Sequence, residues 1–151
     1  MRSYSVAASA ELAASAAACY AVIADYRNGH PQIVPPSVFG AIEVEEGGVG
    51  AGTRIRVAVR GVGGTRTLRL AVTEPEPGRV LAEHDVEAGT VTHFTVDPVS
   101  AGRSRVTIRT DFIQPPGLRA ALEGWITRRV LPRVFREELA RLESVAGARA
   151  A

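Results

Sequence analysis

Between residues 38 and 112, apolar and polar positions alternate with a period of two. Ile42 and Val44 alternate with Glu43 and Glu45, and Ile55, Val57 and Val59 with Arg54, Arg56 and Ala58. Leu68, Leu70 and Val72 alternate with Thr67, Arg69 and Ala71; Val106, Ile108 and Phe112 alternate with Arg105, Arg109 and Asp111. Successive side chains of a strand point to opposite faces, so this pattern predicts antiparallel strands with one buried and one wet face. Glycine-rich or Pro-Gly segments at 47–52, 61–64, 75–78, 88–89 and 101–102 supply the turns between them. Six consecutive strands joined as a meander are expected.

On either side the period is helical. Residues 3–8 read as a short strand, after which Ser9 is expected to cap a helix running to about Ala24, with Glu11 near its positive end. Leu12, Ala16, Cys19, Val22 and Ile23 would form its buried face. Asn28-Gly29, His30-Pro31 and Pro35-Pro36 then break the pattern into loop and one short turn. After Pro115-Pro116-Gly117, a stripe of Leu118, Leu122, Trp125, Ile126, Val130, Val134, Leu139 and Leu142 predicts a long amphipathic helix. Pro132 should kink it, because its ring clashes with the carbonyl of Arg128 and removes one hydrogen bond. Residues 1–146 are expected to form one domain and 147–151 a frayed tail of small residues.

Composition narrows the class. The chain has 151 residues, 46% hydrophobic and 23% charged, a globular balance large enough for a core of its own. All 18 basic residues are arginine, which excludes a Schiff-base or P-loop lysine. Cys19 is the single cysteine, so no internal disulfide is possible, and its buried position implies an inert thiol. A formal net charge of +2 gives no reason to expect nucleic acid as partner. Residues 16–19 resemble a lipoprotein cleavage site, but Glu11 interrupts the apolar stretch and cleavage would remove a strand and half a helix. A cytoplasmic location without membrane insertion is therefore expected, with the oligomeric state open between monomer and homodimer.

The order strand, helix, six strands, long helix implies an α+β fold. A seven-stranded antiparallel sheet must cover its apolar face, and only the last helix is long enough. The runs IADYRNGHPQIVPP, EEGGVGAGTRI, PGRVLAEHD, VTHFTVDP and LPRVFREELARLE resemble the SRPBCC superfamily (START-like; polyketide cyclase/dehydrase and lipid-transport proteins). That resemblance spans nearly the whole chain. It implies a helix-grip fold, a curved sheet around the C-terminal helix with an internal cavity. It does not single out one activity, because the superfamily includes cyclases, lipid and quinone carriers, hormone receptors and chaperone activators.

Candidate chemistry is sparse. Residues 48–53, Gly-Val-Gly-Ala-Gly-Thr, could suggest a nucleotide loop, but a strand follows where a phosphate-binding helix would be needed, so a hairpin is expected. The three histidines are His30, His84 and His93. A three-residue loop 87–89 would set His84 opposite Thr92 and point it inward on the more apolar face with Val80, Ala82 and Val86. His93 would then face solvent, so no zinc triad and no other metal site or cofactor is expected. A four-residue loop would instead bring Glu83 and Asp85 inside. His84 is thus either a satisfied core histidine or a ligand contact, and it and Tyr26 are the catalytic candidates. Tyr26 and His30 fall on the loop where the resemblance places the cavity mouth. The expected ligand-lining set is Tyr26, His30, Ile55, Val57, Leu68, Leu70, Ala82, His84, Thr92, Phe94, Ile108, Thr110 and Trp125. Arg54, Arg56, Arg60 and Arg69 fall on outward faces, partly offset by Glu43 and Glu45, and read as a solvated patch. Three functions remain open: binding of a small lipophilic molecule such as a lipid, polyketide or quinone; a cyclase/dehydrase-like enzyme; or a protein-interaction module like the chaperone activators.

Overall fold

The computed structural model describes residues 2–150. The chain runs β1 (Arg2–Leu12), α1 (Ala16–Ala24), α2 (His30–Ile33), β2 (Phe39–Glu46), β3 (Arg54–Gly61), β4 (Gly64–Glu76), β5 (Val80–Asp85), β6 (Val91–Ser100), β7 (Arg103–Gln114) and α3 (Leu118–Ala150). All seven strands form one antiparallel sheet in the order β1-β7-β6-β5-β4-β3-β2. Strands β2 to β7 are the expected meander, and β1 returns to pair with β7. With α3 laid across its inner face this is the helix-grip architecture.

The N-terminus departs from expectation. β1 continues to Leu12, and the helix cap is Ser15 rather than Ser9: the Ser15 hydroxyl accepts from the Ala18 amide at 3.1 Å. Ser9 instead meets Thr107 across the strand pair, hydroxyl to hydroxyl at 2.9 Å. Alanine-rich sequence is compatible with either state, and eleven residues of ladder with β7 decide for strand.

α3 is one helix with Pro132 inside it, and its two halves differ. Beyond Pro132, Val134, Phe135, Leu139, Leu142 and Ala146 are buried against β1, β7, α1 and α2. Before it, Leu118, Leu122, Trp125 and Val130 stand exposed at 91%, 57%, 53% and 49%, so the first half of the expected apolar stripe is not core. Residues 147–150, expected to fray, continue the helix, and Arg149 pairs with Asp25 at 2.8 Å; Ala151 lies outside the described residues. No helix is long and apolar enough to cross a membrane.

Candidate functional site

The site is set by the β5–β6 hairpin. The Asp85 carboxylate accepts from the amides of Glu87 and Ala88 at 3.0 Å each, the Asp85 amide donates to the Thr90 carbonyl at 2.8 Å, and Gly89 closes the turn at φ 73°. The loop therefore spans four residues, 86–89, and pairs Glu83 with Thr92 and His84 with Val91. This overturns the inward placement of His84. A shift of one residue exchanges the faces of a strand. His84 lies on the outer face, its Nε2 2.9 Å from the Thr73 hydroxyl, and Ala82 is on that same face, buried beneath its neighbours. Asp85 is the sequence signal for this turn, since a carboxylate readily caps amides two and three residues on.

Glu83 takes the interior position. It stands in a transverse row of paired residues, Val72, Glu83, Thr92, Thr110 and Val6. The Thr92 and Thr110 hydroxyls meet at 2.7 Å. The Tyr26 hydroxyl donates to Glu83 Oε1 at 2.6 Å, and His30 Nε2 lies 3.4 Å from the same oxygen. The His30 ring stacks on Tyr26 at 4.4 Å between centroids and meets the Phe94 ring edge-on at 5.4 Å. Its Nδ1 is 2.8 Å from the Ile23 carbonyl, which can only accept, so Nδ1 carries a proton. In the neutral ring Nε2 then has a lone pair facing Glu83, and the contact becomes attractive when a proton lies between them.

The turn after α1 positions both aromatic residues. The Asp25 carbonyl accepts from the amides of Gly29 and His30, its carboxylate accepts from those of Arg27 and Asn28, and Pro31 opens α2. Gly29 is required by close approach: a Cβ there would lie 2.5 Å from the Val22 carbonyl oxygen. The glycine loop at 47–52 buttresses this turn. The amides of Gly48, Gly50, Ala51 and Gly52 donate to the Thr53 hydroxyl, the Ala24 carbonyl, the Glu74 carboxylate and the Val72 carbonyl. With those donors committed, the loop supports the site and cannot cradle phosphate.

Glu138, on α3, completes the interior. It is buried at 3% exposure, and no hydrogen-bond donor reaches its carboxyl among the described residues. Burial first, and the neighbouring Glu83 carboxylate second, push its carboxyl well above the usual range. The same two causes push the Tyr26 phenol up. Glu138 was absent from the expected site because helical periodicity places it among Phe135, Leu139 and Leu142, where an acid reads as a solvent-facing residue.

Around this polar centre, Ile55, Val57, Phe94 and Ile108 are buried, while Leu68 and Leu70 are only half-buried on the inner face of β4. α3 packs on β1 and β7, which leaves the inner apolar face of β2–β4 incompletely covered. Trp125 does not join this lining, because it faces solvent with the Arg129 guanidinium over its ring. On the outer face, Arg54 pairs with Glu46 and Arg56 with Glu43, so the arginine patch is partly neutralised. His84 and His93 lie on that outer face, opposite His30.

Known structures share this architecture. The KanY protein is 26% identical, with a TM-score of 0.81 over 97% of this chain and 99% of that one. An aromatase/cyclase, Zhui, from a Streptomyces species is 18% identical, with a TM-score of 0.79 over 99% and 97%. A norcoclaurine synthase point mutant from Thalictrum flavum, in complex with a transition-state analogue, is 14% identical, with a TM-score of 0.70 over 99% and 98%. No curated protein matches in sequence. At 18% and 14% identity the likeness to the two enzymes establishes the fold alone. The family model, in contrast, matches residues 3–147, and the chain belongs to the polyketide cyclase / dehydrase and lipid transport family.

Proposed function

We propose that the chain encloses a small lipophilic ketone of the polyketide type and catalyses its cyclisation and dehydration by proton transfer. The observation that carries this reading is Glu83, bonded to Tyr26 and near His30, with the buried Glu138 carboxyl close enough to be pushed up by its charge. Glu83 acts as general base, taking a proton from a carbon between two carbonyls. The enolate carbon attacks a second carbonyl of the same chain, and Glu138 donates its proton to the developing alkoxide. In the dehydration, Glu138 recovers a proton from carbon while Glu83 returns one to the departing hydroxyl, releasing water. Each carboxyl ends as it began. Tyr26 holds Glu83 in place, and the apolar walls bury the chain of the substrate at about 25 cal/mol per Å2.

A linear 1,3,5,7-tetraketone, in which a carbon between two carbonyls can close a six-membered ring on the fourth carbonyl, tests the assignment through its conversion to an aromatic chromophore. Glu83→Gln keeps an acceptor for the Tyr26 hydroxyl and should lower turnover by roughly 10²- to 10⁴-fold, the range for general acid–base catalysis, with unchanged tetraketone binding. Full turnover in that variant would refute the assignment. The half-covered apolar face of β2–β4 favours a second reading, carriage of a lipophilic ligand without chemistry. That reading predicts binding with no turnover in either protein.

A further inference from the structure

We propose that the solvent face of α3 docks on an anionic lipid membrane, lying along the surface rather than crossing it. Leu118, Leu122 and Trp125 recur at helical spacing on one side of α3 and are 91%, 57% and 53% exposed. The same side continues through Arg129, Arg133 and Arg136, all exposed. Arg129 lies over the Trp125 ring at 4.9 Å, and Arg128, beside the stripe, lies over Tyr4 at 4.2 Å. Among the described residues, none of these four guanidinium groups has a carboxylate within ion-pair distance, whereas Arg119 and Arg141 on the same helix pair with Glu123 and Glu137. Two to three turns of exposed leucine and tryptophan followed by unpaired arginines are the composition of a helix that lies in a lipid interface. The apolar side chains enter the acyl boundary, tryptophan sits at headgroup level, and long arginine stems carry their charges to the phosphates.

Charge separates this occupant from the alternatives. A second copy meeting the same face would set arginine against arginine if the helices ran parallel, and arginine against leucine and tryptophan if they ran antiparallel. A protein partner would have to supply a groove matched to this stripe, apolar at one end and acidic at the other. A bilayer needs no complementary shape. The position also suits the fold: Gly63, at the β3–β4 turn, lies beside Arg119 and Glu123 in the first turns of α3. Docking would bring that hairpin, with its half-covered inner apolar residues, to the phase in which a lipophilic ligand dissolves. The inference holds whether the ligand is carried or converted.

Vesicle co-sedimentation of the full chain tests it, with Trp125, the only tryptophan, as a fluorescent reporter. Vesicles of phosphatidylcholine containing phosphatidylglycerol should bind the protein and shift its emission to the blue; phosphatidylcholine alone should do neither, and high salt should release it. Leu122→Asp, or replacement of Arg133 and Arg136 together by alanine, should weaken vesicle binding about tenfold or more. If Leu122→Asp fails to fold, the salt and lipid dependence of the unaltered protein and the alanine pair still decide. Absence of binding to anionic vesicles, or equal binding to neutral ones, overturns the proposal. So does a dimer that Leu122→Asp dissociates, or an acidic polypeptide that binds this face, in a protein that ignores vesicles.

Discussion

The two halves of α3 meet opposite surroundings. Past Pro132 the helix is clamped: Phe135, Leu139 and Leu142 are at most 4% exposed among side chains of α1 and the sheet, and Arg149 reaches Asp25. Before Pro132 it is more open: Leu118 and Leu122 face water, while Gly124 packs on Gln114 and Tyr4 and the β3–β4 turn lies close by. The difference teaches that an amphipathic stripe states a need for cover without stating which cover it receives. One half of the helix supplies the rigidity that holds Glu138 near Glu83. The other supplies apolar surface that the fold leaves unused.

Truncations separate these halves most sharply. Phe135→Ala should cost about 3–5 kcal/mol of unfolding free energy, because a filled core has no way to collapse around the void. Leu122→Ala should change stability by no more than about 0.5 kcal/mol. Comparable losses from denaturant titration of the two variants would erase the distinction.

A smaller effect sharpens the reading of the clamped half. Folded Glu138 keeps its proton to higher pH than unfolded Glu138, whose ordinary value is 4.5. The folded state then binds more protons than the unfolded one, so stability declines as pH rises from that value through the raised one. The slope from this group can reach about 1.4 kcal/mol per pH unit. Glu138→Gln should flatten the profile across this window. Identical slopes in thermal melts of the two proteins would assign the proton elsewhere.

The smallest effect lies at the far end of α3. Burial raises the Asp25 carboxyl, but the Arg149 bond and the Asn28 and Arg27 amides outweigh it and leave it below its ordinary 3.8. The stability it contributes is present above that value and is lost as pH falls through the lowered one. Since the pair is partly exposed, Arg149→Ala should cost less than about 1 kcal/mol at neutral pH, with the difference vanishing in acid and shrinking in salt. A loss that persists at low pH would point to packing by the arginine stem.

Much of this molecule is legible in its sequence. The period-two run from residue 38, its turns and the terminal helix follow from elementary rules, because alternation and helical spacing are local properties of the chain. So does the place of Tyr26 and His30 on the turn after α1, which Asp25, Gly29 and Pro31 build from neighbouring atoms. Two things escaped those rules. Whether Glu83 or His84 faces inward rests on one residue of loop length, and the apolar character of Val80, Ala82 and Val86 argued for the wrong face until Asp85 capped the turn. Whether Glu138 is buried, and Trp125 exposed, depends on which elements stand opposite each half of α3. Periodicity assigns residues to a face of an element, but burial belongs to pairs of faces. Only tertiary contact therefore decided that an acid of the helix lies near an acid of the sheet, while the tryptophan above it meets solvent.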